Sequence, residues 1–319
     1  METWMTGTAV QDIERAYGVK IWATIPLRSV VAVVTDRGRF MCKRYGAKQG
    51  LSFERIKAII HVKDQLAQYG LCKTYLRTID DRGFCELDGD LLTLEPWLSG
   101  EHADFSIRAD RLSAIQAVAR LHHAQITVPK PLVVTQSIVQ KFSLRLRRAV
   151  DVVHSGGLVG MSEKEWERYR HRAEQILRDL PHQELQWLTE KNRDAGVLCH
   201  RDLAPHNILV QPGAPAVLID FDLAGPDSPL YDLHQIFDHM VYRTGTQSWL
   251  DETLASYLQI HPLTLREQHL LRRLLEFPTP LLREVGDLQD ARSAHAKKRA
   301  ALRIRYVNHL MQERLQGYT

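Results

Sequence analysis

The sequence predicts an α+β chain in two lobes, a small antiparallel-sheet lobe with one helix followed by a larger, mainly helical lobe. Three observations predict it. The first hundred residues hold short β-branched runs around a single helical stripe. From Ser106 onward the apolar spacing turns mainly helical. Between the two regimes stands Leu94–Gly100, LEPWLSG, whose Pro and Gly suit a connector. At 319 residues and 44% hydrophobic composition, the chain can bury cores for both parts. The expected boundaries are 1–94 for the first lobe, 95–100 for the hinge and 101–319 for the second lobe.

In chain order, VKIWATI (Val19–Ile25) and SVVAVVTD (Ser29–Asp36) read as strands, and TDRG reads as a hairpin turn between Val34 and Phe40. The stretch SFERIKAIIHVKDQLAQYG then places Phe53, Ile56, Ile59, Ile60 and Leu66 on one helical face, closed by Gly70. TYLRTI (Thr74–Ile79) and DLLTLEPW (Asp90–Trp97) are further strand candidates. Helices are expected over Ile107–Gln125, Lys141–His154 and Ser162–Leu180, and again beyond Leu230. The short runs VLC, ILV and AVLID, between Val197 and Asp220, interrupt them as strands joined by loops.

Charge and cysteine usage narrow the function classes. The formal net charge is +4, and no basic repeat or interleaved aromatic pattern marks a nucleic-acid surface, so no nucleic-acid partner is expected. No run of eighteen apolar residues and no secretory leader is read, so no membrane partner is expected and the compartment is read as cytoplasmic. Cys42, Cys72, Cys85 and Cys199 are scattered without C-x-x-C spacing and read as reduced thiols. Ala291–Thr319 carries seven Lys or Arg against the single acid Glu313 and places Ile304, Val307, Met311 and Leu315 at helical spacing, which predicts a terminal helix with a charged face.

The chemistry concentrates in CHRDLAPHNILVQPGAPAVLIDFDLAG. His200, Arg201, Asp202, Leu203 and Asn207 fit the H-R-D-L-x-x-x-N pattern of kinase catalytic loops. Five such positions coincide by chance in on the order of one chain in ten thousand. Asp220 follows thirteen positions after Asn207, at the end of an apolar strand, where a metal-binding Asp is expected. Moving a γ-phosphoryl group requires a shielded triphosphate, an oriented acceptor hydroxyl and a carboxylate near that hydroxyl. Asp202 suits the last role, and Asn207 and Asp220 offer hard oxygens to Mg²⁺. His200 and Arg201 are expected to hold the loop rather than react.

These motifs, together with FMCKRY, LTLEPWLSG, VARLHHA, YDLHQI and LLEFPTPLLREV in order along the chain, resemble the kinase-like superfamily of aminoglycoside phosphotransferases and choline kinases, most closely its bacterial spore-coat CotS branch. The resemblance implies a bilobal protein-kinase-like fold and an ATP- and Mg²⁺-dependent phosphotransferase acting on a hydroxyl of a small molecule. It assigns Lys43 to the nucleotide phosphates, the backbone around Glu95, Trp97 and Leu98 to adenine, Asp222 to the second metal and Asp232 to bracing the catalytic loop. It also implies a mother-cell or spore-coat setting with coat proteins as partners, and as its alternative a catalytically weak adaptor on the same fold. The chain departs from the kinase pattern in two places. No G-x-G-x-x-G precedes the lysine strand, the equivalent loop being Ile25–Ser29, and the acid expected to pair with Lys43 is either Glu54 or Asp64.

Overall fold

The protein is described from a computed structural model, which places residues 5, 7–27, 30–46, 51–132, 136–291 and 293–316, with side chains to residue 312. A five-stranded antiparallel sheet is built from β1 (Ile21–Pro26), β2 (Val31–Thr35), β3 (Gly38–Tyr45), β4 (Cys85–Leu87) and β5 (Asp90–Pro96), in the spatial order β1-β2-β3-β5-β4. Thr35 pairs with Gly38, so β2 and β3 close as the hairpin that TDRG predicts. The pairing of β3 with β5 sets Met41 opposite Glu95 and Lys43 opposite Thr93. Lys43 thereby stands in the centre of the sheet, one strand from the connector.

Two helices flank this sheet rather than the single expected one. α2 (Phe53–Gln68) is the predicted stripe, capped by Ser52, whose hydroxyl accepts the Arg55 N–H. α1 (Gly7–Tyr17) went unassigned in the sequence, although Ala9, Ile13 and Tyr17 recur at helical spacing. All three are buried against Phe40, Leu92 and Leu94, and the Tyr17 hydroxyl donates to the Leu92 carbonyl at 3.0 Å. Thr74–Ile79, expected as a strand, is a loop. The Thr78 hydroxyl bonds locally to Asp80 and to the Arg82 carbonyl and receives the Arg82 N–H, a side-chain turn that competes with strand pairing.

The remainder is mainly helical: α3 (Arg108–His123), α4 (Ile138–His154), α5 (Glu163–Asp179), α6 (His182–Asp194), α7 (Pro229–Thr244), α8 (Leu250–Leu258), α9 (Leu265–Leu275), α10 (Thr279–Gly286) and α11 (Ala294–Gln316). Ser137, Ser162 and Thr264 close capping boxes that start α4, α5 and α9. Short strands lie among them: β6 (Glu101–His102) pairs with β8 (Ile208–Gln211), which pairs with β9 (Ala214–Leu218), while β7 (Leu198–Cys199) pairs with β10 (Gly225–Pro226). One buried cluster runs from α2 through α3, α4 and α7 to α11. On α11, Ile304, Val307 and Met311 are buried, Lys297, Lys298 and Arg299 are exposed, and the Leu315 side chain lies outside the described residues. All four cysteines are free and buried. Among the described residues, no helix is long and apolar enough to cross a membrane.

One ion pair joins helix to sheet. Lys63 falls on the apolar stripe of α2, is wholly buried and sits 4.0 Å from the centre of the Tyr75 ring. Its Nζ donates to the Glu95 carboxylate at the end of β5. Breaking one side of a buried pair strands the other charge, at a cost of about 3–5 kcal/mol. Lys63→Met should therefore lower stability by that order in urea unfolding. Lys63→Met combined with Glu95→Leu should regain most of the loss, because no charge is then left behind.

Candidate active site

The central segment folds as predicted into a loop between short strands. After β7 the chain enters His200–Asn207, ends it in a 3₁₀ turn at Pro205–Asn207, and continues into β8. Arg201 adopts a left-handed conformation, φ 67°. That conformation is costly for a residue with a Cβ and persists only where neighbours hold it. Asp232, near the start of α7 and fully buried, does so by accepting the His200 N–H at 2.7 Å and the Arg201 N–H at 2.8 Å. His122 reaches the same carboxylate with Nε2 at 3.0 Å, and its Nδ1 lies 2.7 Å from the Tyr257 hydroxyl. Burial pushes the Asp232 carboxyl up. His122, together with the Arg201 N–H, outweighs burial and keeps the acid ionised.

His200 fixes the loop to the strand that carries the next acid. Its Nε2 lies 2.9 Å from the Ile219 carbonyl, which can only accept, so the proton sits on Nε2. Nδ1 is then free to accept the Asp202 N–H at 3.3 Å. The Ile219 N–H in turn donates to the Asn207 carbonyl at 3.0 Å. The Asn207 side-chain amide donates to the Asp202 carbonyl at 2.8 Å and to its Oδ2 at 3.1 Å. With the nitrogen so engaged, Oδ1 is the Asn207 atom left for a cation. Arg201 pairs with Asp227, donates to the Gln136 carbonyl at 3.1 Å and lies 4.2 Å over the Tyr231 ring.

Asp220 is also left-handed, φ 64° and ψ 65°. Its Oδ1 accepts from Lys43 Nζ at 2.8 Å, while Asp222 Oδ2 lies 3.5 Å from the same nitrogen. The expectation of a Glu54 or Asp64 partner for Lys43 is thus corrected. Glu54 faces Lys57 at 3.5 Å on the exposed side of α2, and Asp64 pairs with Arg77. The α2 position that looks toward the connector carries Lys63 instead of an acid, so Lys43 takes its countercharges from the far side of the cleft. Burial alone would push the Lys43 ammonium down, but the Asp222 and Asp220 carboxylates outweigh it and hold the lysine charged. The two carboxyls diverge. Burial raises both, yet Lys43 brings Asp220 below the usual range, while burial and the Asp220 charge keep Asp222 above it.

Three residues that sequence reasoning missed complete the site. The Tyr45 hydroxyl donates to Asp222 Oδ1 at 3.1 Å. Arg55 of α2 donates from Nε and Nη2 to the Asp222 carbonyl, both at 3.2 Å, and from Nη2 to the Ala224 carbonyl at 2.7 Å. Lys63 was detectable as a cation on an apolar stripe, whereas Arg55 and Tyr45 carry no local signal because their partners lie about 170 positions away. At the connector, the Glu95 side chain is buried, Leu98 is half-buried and Trp97 is exposed. The Trp97 N–H donates to the Arg39 carbonyl at 2.8 Å and so is not available to a base. Of the Ile25–Ser29 loop, the Leu27 N–H closes on the Val30 carbonyl at 2.9 Å, and Arg28 and Ser29 lie outside the described residues.

The arrangement gathers two carboxylates, an amide oxygen and a lysine where the central strand β3 meets the segment after β9, with a further carboxylate, Asp202, hydrogen-bonded to Asn207. An all-oxygen donor set with one carboxyl held above its usual range by burial and by its neighbour's charge fits a hard divalent cation, which would relieve that repulsion. No curated protein matches the sequence. Among solved structures the chain is similar to an aminoglycoside phosphotransferase from Alicyclobacillus acidocaldarius, at 16% identity and a TM-score of 0.79 over 99% of this chain and 96% of that one. It is also similar to a spectinomycin phosphotransferase in complex with ADP and spectinomycin (13% identity, TM-score 0.56, 96% and 97% covered). A third is a microcompartment-associated aminopropanol kinase (15% identity, TM-score 0.60, 97% of each chain covered). At these identities the likeness is one of fold, and the fold is kinase-like. Residues 27–270 match the Phosphotransferase enzyme family, and the chain belongs to that family.

Proposed function

We propose that the protein is an ATP- and Mg²⁺-dependent phosphotransferase that acts on a hydroxyl of a small molecule. The observation that carries the reading is the Lys43–Asp220–Asp222 cluster standing beside Asp202 and Asn207, residues drawn from β3, the catalytic loop and the segment after β9. In this reading residues 1–94 form the nucleotide-binding lobe, 95–100 the hinge and 101–319 the lobe that carries the catalytic loop and the acceptor. Several structures of the same fold were solved with ADP, AMP, or AMP-PNP and Ca²⁺, which supports a nucleotide and a divalent metal here.

Lys43 would meet the nucleotide phosphates, and the connector backbone from Glu95 to Leu98 would border adenine, its donors excluding the Trp97 amide. Asn207 Oδ1, Asp220 and Asp222 would hold Mg²⁺, which when bound shields the triphosphate charge. Asp202 would take the acceptor proton. As the acceptor O–H bond breaks, its oxygen bonds to the γ-phosphorus of ATP, and the bond from that phosphorus to the bridging oxygen breaks to release ADP. His200, Arg201 and Asp232 would act through the loop, since their polar groups already bond to the protein. The spore-coat setting rests on the sequence resemblance. The adaptor alternative draws on the exposed Lys297, Lys298 and Arg299 and on the missing glycine-rich loop.

ATP with Mg²⁺ should stabilise the fold by about 2.7 kcal/mol at a hundred times its Kd. A thermal-shift titration that shows no change at millimolar nucleotide, with and without metal, would leave the adaptor reading.

Asp202→Asn should keep nucleotide affinity and lose about 10²- to 10⁴-fold in turnover. Asp220→Asn should weaken metal affinity and turnover together. Steady-state kinetics combined with metal titration separates the two, and wild-type turnover in Asp202→Asn would refute its assigned role.

Activity should not require phosphorylation. Ser228 is buried, and its hydroxyl caps α7 by accepting the Leu230 N–H at 3.4 Å, which leaves no space for a phosphate. Phosphatase-treated protein should retain its full rate on small acceptors.

A further inference from the structure

Beside the catalytic loop, α4, α7 and α10 enclose a cavity of about 40 Å³ whose polar lining is strongly one-sided. Lys141, Arg145 and Arg283 line it against Asp238, the only carboxylate among the described lining residues. Asp238 lies 3.2 Å from His234 and favours the charged form of Arg145, so one carboxylate answers three cations. Lys141 Nζ donates to the Tyr231 hydroxyl and has no carboxylate within ion-pair distance among the described residues. Arg145 has neither an ion pair nor a hydrogen bond among them. Arg283 reaches Glu284 only at 3.7 Å, and Glu284 is held at 2.6 Å by Arg303. The buried Gln235 Oε1, also in the lining, has no hydrogen-bond partner among the described residues.

Three half-buried cations that face a single lining carboxylate are costly unless something supplies more of the opposite sign. The neighbouring groups carry the mark of that crowding. Burial pushes the Lys141 ammonium down to about 8, with Arg145 and Arg201 adding to the effect. Burial, followed by Arg283, His206, Arg145 and Lys141, pushes the His239 imidazole down to about 3, so it stays neutral. The cavity adjoins the loop at Tyr231, whose hydroxyl accepts from Lys141 and whose ring carries the Arg201 guanidinium. Asp202 is close enough to Lys141 to favour its charged form. The volume matches roughly three waters, which is the size of an anionic head group rather than a whole metabolite.

We propose that the acceptor is a small anionic alcohol, its hydroxyl presented to Asp202 and its carboxylate or phosphate seated between Lys141, Arg145 and Arg283. This rests on the phosphotransferase reading of the site and specifies its substrate class. The donor is ATP, and the bonds made and broken are those of the transfer described above, with the anionic group itself unchanged. Arg145 and Lys141 act as specificity residues, while Gln235 offers an oxygen to a second hydroxyl of the same molecule.

The test presents ATP and Mg²⁺ with hydroxycarboxylates such as glycerate, polyol monophosphates such as glycerol 3-phosphate, neutral glycerol, and the cationic acceptors choline and an aminoglycoside. Transfer is read as ADP formed and as the phosphorylated product. An anionic arm should exceed glycerol at least tenfold in kcat/KM, and whichever arm is used identifies the group as carboxylate or phosphate. Lys141→Met and Arg145→Met should each raise the acceptor KM about tenfold or more, as expected for losing a hydrogen bond to a charged group, with the KM for ATP and the Tm unchanged. Titrating the ADP- and Mg²⁺-loaded protein with the same compounds reads binding without turnover. Preference for choline or the aminoglycoside, no tighter binding of the anionic compounds than of glycerol, or variants with unchanged acceptor KM and affinity would overturn the inference and leave phosphotransfer standing. Absence of both nucleotide binding and any transfer would remove the phosphotransferase reading as well.

Discussion

The site depends first on the Asp232 carboxylate. Two successive N–H groups, those of His200 and Arg201, converge on it from a chain that turns left-handed at Arg201. A left-handed residue with a Cβ is disfavoured by roughly 1–2 kcal/mol. An ionised acceptor in a dry interior can offset that, because hydrogen bonds to a charge are about twice as strong as neutral ones. The carboxylate is itself steadied by His122, and His122 by the Tyr257 hydroxyl. His122, Cys199 and Asp232 lie close enough together to suggest a metal site. The ring nitrogens and both Asp232 oxygens are already engaged by protein groups, and the Cys199 thiol points to the Asp227 carbonyl at 3.4 Å. Their role is to hold the loop.

With the loop held, the charges separate into two neighbouring regions of opposite sign. On the side of the sheet, two carboxylates share one lysine, and the local balance is negative. Across the loop, toward α4 and α10, three cations face one carboxylate. Fixed charges that are not neutralised within the protein report the sign of what completes them. The negative cluster calls for a cation and the positive cavity for an anion, and Asp202 stands at the junction. The proposed phosphoryl transfer from a metal-bound donor to an anionic acceptor would use both regions, with the reacting hydroxyl where they meet.

Much of this was legible in the sequence wherever the signal was local. HRDLAPHN names its own loop, the apolar run before Asp220 places that acid at a strand end, and the α2 stripe is a plain 3.6-residue period. What stayed hidden depends on partners distant in sequence. Lys43 is a conspicuous strand lysine, but its countercharge lies 177 positions away, and a search confined to the nearest helix could propose only Glu54 or Asp64. The strand pattern in Thr74–Ile79 is real, yet Thr78 satisfies the backbone locally, and Ile79 is left exposed. The cationic cavity draws its charges from helices more than a hundred residues apart, and no spacing rule links Lys141 to Arg283.

The segment from Asp220 to Asp232 also shows where motion is possible and where it is not. Phe221 is buried under His200, with ring centres 4.7 Å apart. Gly225 and Pro226 pair with β7, and the Asp227 N–H donates to the Val197 carbonyl at 3.2 Å. Asp227 then takes both the Arg201 guanidinium and the Ser228 N–H. A stretch anchored this often has no slack for an order–disorder switch, unlike segments that change state when a new charge recruits an arginine. The bonds that cross from the sheet and α2 to this segment are fewer: Lys43 to the two acids, Tyr45 to Asp222, and Arg55 to two carbonyls. All are polar and at least partly accessible, and they offer far less resistance than the apolar core. Any adjustment between the sheet and this segment is therefore expected at this polar seam, where the connecting bonds are fewest.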